Sequence, residues 1–274
     1  MTTPALVMDP AAWPLLLCGP MLRRVSYETV SVFLAFTHPR TVALKLYEVT
    51  PSGGQGPLLT AAGGSAATRP IGANLHVVTV TLRGLSLQPL TRYFYDVEIT
   101  RTGTARPSDT AGPNLTLASL PDDLLTGRDP LGYAIGALPS FVTPPRVAAK
   151  LHFYHGSCRK FHGGGSDAML RLDEALDYSF DRPDLRPQML FLTGDQIYAD
   201  DVDGPLLPVL TELSKKLLGW EEKVPDAGGP SLLSGFPPGT RERFILRAPL
   251  SSGEGHAHLL GLGEFYAMYL LAFS

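Results

Sequence analysis

Three residues of this chain carry side chains that would form a strongly anionic cage if gathered at one point: Cys158, Asp195 and Tyr198. Cys158 stands in His155-Gly156-Ser157-Cys158-Arg159, just after the apolar run Val147 to Tyr154. Asp195 and Tyr198 stand in Gly194-Asp195-Gln196-Ile197-Tyr198, after Met189-Leu190-Phe191-Leu192. Sites in open α/β sheets form beyond the carboxyl ends of the strands. Adjacent strands lie about 4.8 Å apart, so two neighbouring strands would bring the thiol and the carboxylate together. Tyr198 follows Asp195 by three residues, so one tight loop turns both inward. A phenol loses its proton only near pH 10. A trivalent iron drives that loss where a weaker Lewis acid does not. The trio therefore predicts a metal site whose side-chain heavy atoms lie within about 4–7 Å of one another, because ligands sit about 2–2.3 Å from their ion.

The same residue types have plainer roles. A lone Cys is often a small buried hydrophobe, Asp195 suits a turn, and Tyr198 suits core packing. Asp200, Asp201 and Asp203 read as a solvated loop or helix entry, or as calcium ligands or indirect support for a metal. An EF-hand count fails on them, because its glycine position holds Leu206 and two prolines, Pro205 and Pro208, intervene. His152, His155 and His162 near Cys158 are further candidate ligands. Other chemistries are excluded. His162-Gly163-Gly164-Gly165 has no Gly-x-Ser-x-Gly elbow to serve. No phosphate-cradling Gly-x-x-x-x-Gly-Lys motif occurs. Gly164 stands where a cysteine phosphatase needs an Arg.

The elements that must position the trio follow from periodicity. Ser166 is expected to cap a helix with Asp167 in its first turn and Met169, Leu172, Leu176 and Phe180 on one face. Arg186-Pro187 ends it, and Met189–Leu192 reads as a parallel strand covered on both faces. The unit is β-α-β with a right-handed crossover. A second helix is expected from Pro205 to about Leu218, with a Leu206, Leu210, Leu213 and Leu217 stripe and Gly219 beyond its end. His258 to Phe273 reads as a third, mostly buried helix.

Residues to about 120 read differently. Ser31–Phe36, Val42–Val49 and Leu75–Leu82 are short, rich in β-branched and aromatic residues, and separated by Gly/Pro/Ser clusters. That spacing predicts an antiparallel sandwich. Leu85-Ser86-Leu87-Gln88-Pro89-Leu90-Thr91-Arg92-Tyr93 resembles the corner of a fibronectin type III-like domain, where a buried Tyr, here Tyr93, bonds back to the backbone. Five prolines between 121 and 146 read as a linker, giving a sandwich over 1–120 and an α/β part over 147–274. The net charge of −3 offers no basic excess for nucleic-acid phosphates. No apolar run is long enough to cross a membrane as a helix, and no signal peptide is evident, so the default expectation is the cytosol, or export of a chain that has lost its leader. Cys18 and Cys158 make no disulfide framework.

Leu192-Thr193-Gly194-Asp195-Gln196-Ile197-Tyr198-Ala199-Asp200-Asp201, with Ser157-Cys158 at the end of the preceding strand, resembles the PhoD-like phosphatases (alkaline phosphatase D) of the calcineurin-like metallophosphoesterase group. The likeness is close over residues 151–203 and loose over the rest. It implies a multidomain β plus α/β fold: a fibronectin type III-like sandwich, then the start of a metallophosphoesterase α/β sandwich. It also implies Fe(III) held partly by Cys158, Asp195 and Tyr198, with Ca(II) alongside, and hydrolysis of phosphate mono- or diesters by an activated water or hydroxide. Arg159 is a candidate for holding the phosphate of a small ester substrate. The family's later Asp/His ligands have no counterpart after residue 203, where the last histidines are His256 and His258. The chain is therefore expected to be an N-terminal portion of a longer enzyme, weakly active alone, with exposed apolar surface beside an incomplete sheet. The alternative expectation is a non-catalytic interaction module.

Overall fold

The computed structural model describes residues 9–59, 64–102, 114–117, 131–133, 138–160, 164–225, 229–247 and 255–273. The chain is mixed and strand-rich, with several antiparallel sheets and few helices. The N-terminal strands are β1 (Leu16–Val25), β2 (Thr29–Phe36), β3 (Arg40–Val49), β4 (Gln55–Leu58), β5 (Ser65–Ala67), β6 (Arg69–Gly72), β7 (Leu75–Arg83), β8 (Arg92–Arg101), β9 (Asn114–Leu115) and β10 (Ser140–Val142). They form two sheets. One runs β1-β2-β7-β6; the other runs β10-β8-β3-β4, with β5 beside β3 and β9 beside β8.

Period-two alternation explains the packing. Val30, Val32, Leu34 and Phe36 of β2 and Val78, Val80 and Leu82 of β7 face Val42, Leu44 and Leu46 of β3 and Tyr95, Val97 and Ile99 of β8 in one core. Tyr93 is buried there, and the Gln88 N–H donates to its hydroxyl at 2.9 Å. One boundary moves. Strand β10 pairs with β8, Ser140 opposite Phe94, so the second sheet reaches beyond residue 120 into the expected linker. Only three residues long and flanked by prolines, β10 is too short to show a period of two.

The remaining elements are β11 (Phe153–Gly156), α1 (Ala168–Tyr178), β12 (Met189–Leu192), α2 (Leu206–Leu218), the small hairpin β13 (Lys223–Val224) and β14 (Ser231–Leu232), α3 (Glu242–Arg247) and α4 (Leu262–Phe273). Strands β11 and β12 are parallel and flank α1, as the β-α-β pattern requires. The N-cap of α1 is Asp167, not Ser166: its Oδ1 accepts from the Met169 N–H at 3.0 Å. No residue of α1 is fully buried. No helix of the described residues is long and apolar enough to cross a membrane.

Helices α2 and α4 lie on the outer face of the β1-β2-β7-β6 sheet. Leu207, Leu210 and Leu217 of α2 and Ala267 and Met268 of α4 share a second core with Cys18, Ala35 and Leu75, and Phe33 and Val77 pack against it. That sheet is thus the middle of three layers. The buried stripe of α2 is turned from the expected one: Leu207 and Leu218 are buried, whereas Leu206 and Leu213 are only half-buried. The β6–β7 turn explains the rotation. The Ala73 and Asn74 N–H groups donate to Leu218 O and Leu217 O, and Asn74 Nδ2 donates to Lys216 O. These contacts satisfy carbonyls that a helix end leaves open. A buried ion pair joins this layer internally. Arg241 donates to both oxygens of Glu264, at 2.8 and 2.9 Å, and Glu264 also accepts from the Thr211 hydroxyl at 2.5 Å.

Candidate functional site at the parallel strand ends

Strands β11 and β12 pair over four residues, from Phe153 opposite Met189 to Gly156 opposite Leu192. Beyond them the two loops are tied together, because the Arg159 N–H donates to Asp195 O at 2.8 Å. Gly194 permits this approach. A Cβ there would lie 2.0 Å from Ser157 Oγ and 2.9 Å from Cys158 N. Cys158 itself has φ 57°, a left-handed conformation that a residue with a Cβ adopts only when its surroundings fix it.

The thiol lies against Tyr198 and the main chain of Asp195. Cys158 Sγ lies 3.3 Å from Ser157 Oγ, and it takes hydrogen bonds from the Tyr198 side chain and the Asp195 backbone N–H. The Ser157 and Tyr198 hydroxyls lower the Cys158 pKa, against a smaller desolvation effect and the charge of Asp195. The converse holds for Tyr198. Its hydrogen bond to Cys158, then desolvation and the charges of Cys158, Asp195 and Asp200, push its pKa up to about 12. Cys158 and Asp195 are exposed and Tyr198 is half-buried. Between the latter two, Ile197 is buried in the second core and anchors the loop, and Ala199 O accepts from the Leu259 N–H at 2.7 Å.

The other candidates are placed as follows. Arg159 directs its guanidinium at protein groups: Asp167 through Nε and Nη2, the latter at 2.6 Å, and the Ala272 carbonyl through Nη1. Its Cζ lies 5.0 Å from the centre of the Phe273 ring. The His155 ring bonds Thr193 Oγ1 at 2.6 Å, and His152 is exposed. His162 lies outside the described residues. His258 is buried, with Nδ1 against Leu259 O, and His256 is exposed. Sequence reasoning passed over Lys160, which pairs with Asp201 and whose Nζ lies 6.0 Å from the centre of the Tyr198 ring. Its place two residues after Cys158 was the available signal.

Thiolate, carboxylate and phenolate are a donor set that fits a hard, highly charged ion with one soft ligand. The existing hydrogen bonds already bias Cys158 toward the thiolate such binding needs. Among the described residues no group of three or more His, Cys, Asp and Glu side chains is placed to hold a metal ion; the third member of this trio is a phenol. No family model matches the chain, and no curated protein matches it either.

Proposed function

We propose that the loops after β11 and β12 form the metal-binding edge of a phosphoesterase active site, in a chain that pairs a fibronectin type III-like sandwich with a metallophosphoesterase-type α/β layer. The observation that supports this reading is that the Cys158 thiol meets the Tyr198 hydroxyl and the Asp195 main chain and feels the charge of the Asp195 carboxylate. The likeness of residues 151–203 to PhoD-like phosphatases supports it, as do the two-sheet order and the Tyr93 corner for the sandwich. Cys158, Asp195 and Tyr198 would hold Fe(III). When bound, the ion supplies Lewis acidity toward phosphoryl oxygens and lowers the pKa of water. The protein residues do the rest. Ser157 orients the thiolate, Gly194 lets the loops touch, and Ile197 fixes the loop that carries Asp195 and Tyr198. Arg159 is left out of substrate binding, because its fork is engaged by Asp167 and Ala272.

The test is titration of the purified chain with Fe(III), followed by turnover of bis-p-nitrophenyl phosphate. A visible phenolate-to-iron absorption band is expected, lost in Tyr198→Phe and weakened in Cys158→Ser. A wild-type chain that binds no iron and shows no band would overturn the metal assignment. A second reading, a non-catalytic interaction module, is favoured by the exposure of Phe153 (55%) and Phe191 (47%) on the same strands. It predicts no turnover with iron bound.

A further inference from the structure

We infer that Arg159 is the positioning residue that sets the Cys158 backbone, coupling the end of α4 to the strand-end loops; its link to iron rests on the phosphoesterase reading. Four elements meet on this residue. Its main-chain N–H joins the β11 loop to Asp195 O. Its Nε and Nη2 hold both oxygens of Asp167, the N-cap of α1. Its Nη1 donates to Ala272 O in the last turn of α4, and its plane lies over Phe273. The next carbonyl, Phe273 O, accepts from the Cys18 thiol on β1 at 3.3 Å.

The electrostatics favour this place. A hydrogen bond from a charged guanidinium to a carbonyl oxygen is stronger than a neutral one, which favours the contact with Ala272 O. Asp167 adds a full negative charge, and Arg159 in turn holds that carboxyl below its ordinary pKa. The side chain is 19% exposed, so these contacts are only partly screened. Cys158 is the residue immediately before. Its φ of 57° is unfavourable for a non-glycine residue and persists where neighbours over-determine it. With Arg159 anchored on two helices and Gly194 packed beneath, the chain has little freedom to relax. Lysine lacks the planar fork and cannot reach Asp167 and Ala272 O together.

The experiment compares wild type, Arg159→Lys and a control, Arg171→Ala, whose ion pair with Glu174 is exposed. Fe(III) affinity and the position of the phenolate-to-iron band are read together with amide exchange of Arg159 in the metal-free chain by NMR. For Arg159→Lys, affinity is expected to fall about 10- to 100-fold, as for loss of a group supporting metal ligands, with a shifted band. Amide exchange should accelerate at least about tenfold, reflecting a local opening of the loop. The control should change none of these. If wild type shows no band but Arg159→Lys still accelerates exchange, the iron reading fails and the positioning role stands. Unchanged exchange in Arg159→Lys would overturn the positioning role, as would an unchanged band and affinity with iron bound. Should Arg159→Lys fail to fold, Asp167→Asn removes one partner and carries the same comparison.

Discussion

Strands β2 and β7 pair over eight residues, from Thr29 opposite Arg83 to Phe36 opposite His76, whereas β11 and β12 pair over four. Both pairs are rich in apolar side chains, but their surroundings differ. Val30, Val32, Leu34, Phe36 and Val80 are wholly inaccessible, and helices cover the far face. Phe153, Tyr154, Leu190, Phe191 and Leu192 are exposed. An apolar strand is therefore not by itself a buried strand; burial comes from the layers laid against it. The strands that carry the candidate chemistry owe their order to what lies past their ends: the Arg159–Asp195 bond, the Gly194 contact and the grip of Arg159 on two helices.

The largest expected effect breaks the covered pair. Phe36→Ala should lower stability by about 3–5 kcal/mol through lost burial and a cavity. Phe191→Ala, at a position already 47% exposed, should cost less than about 1 kcal/mol. Denaturant melts of the two variants check the contrast, and equal losses would erase it.

Gly194→Ala sharpens the other side. Its Cβ would press on Ser157 Oγ, the Cys158 N and the Cys158 Sγ. Relief requires the loops to part, at about 1–3 kcal/mol, the usual range for overpacking. Iron binding should fall with it, and unaltered iron binding would show that close approach is unnecessary.

The two cysteines report on the two regions. Cys18 is buried between β1 and α4, and burial pushes its thiol up to about 11. Its unfolded-state pKa is lower, near 9. As pH rises from 9 to 11 the unfolded chain releases this proton first, so folding loses about 1–2 kcal/mol, near the 1.4 kcal/mol per unit that linkage gives. Cys18→Ala should flatten stability over that window in pH-dependent melts. Cys158, exposed and shifted the other way, should react with iodoacetamide at neutral pH at least about 100-fold faster than Cys18. Mass spectrometry of labelled peptides would show the order, and early labelling of Cys18 would contradict its burial.

Much of the fold was legible because it follows local rules. The β-branched and aromatic segments of β2, β3 and β7, bounded by turn clusters, the β-α-β order and the helix ended by Gly219 are all read from neighbouring residues. The candidate trio was proposed from the sequence because Cys158 and Asp195 follow apolar runs and Tyr198 follows Asp195 by three. What stayed hidden depends on partners far along the chain. Arg241 and Glu264 pair in the interior without any spacing rule linking a loop to a helix. Arg159 looked free for a phosphate because nothing in its neighbourhood announces α4. The turn of α2 by one residue is set by Ala73 and Asn74, more than 130 residues earlier.

The three-layer arrangement around β1-β2-β7-β6 bears on how such a chain could be inherited. A module that shuffles between genes needs a boundary that can be cut along the sequence. Here the seam runs through a shared oily layer in which Cys18, Ala35 and Leu75 interlock with α2 and α4. Cutting at the prolines near residue 144 would leave the two N-terminal sheets with one apolar outer face uncovered and a pair of helices without a floor. Each half therefore depends on the other to keep this shared surface out of water.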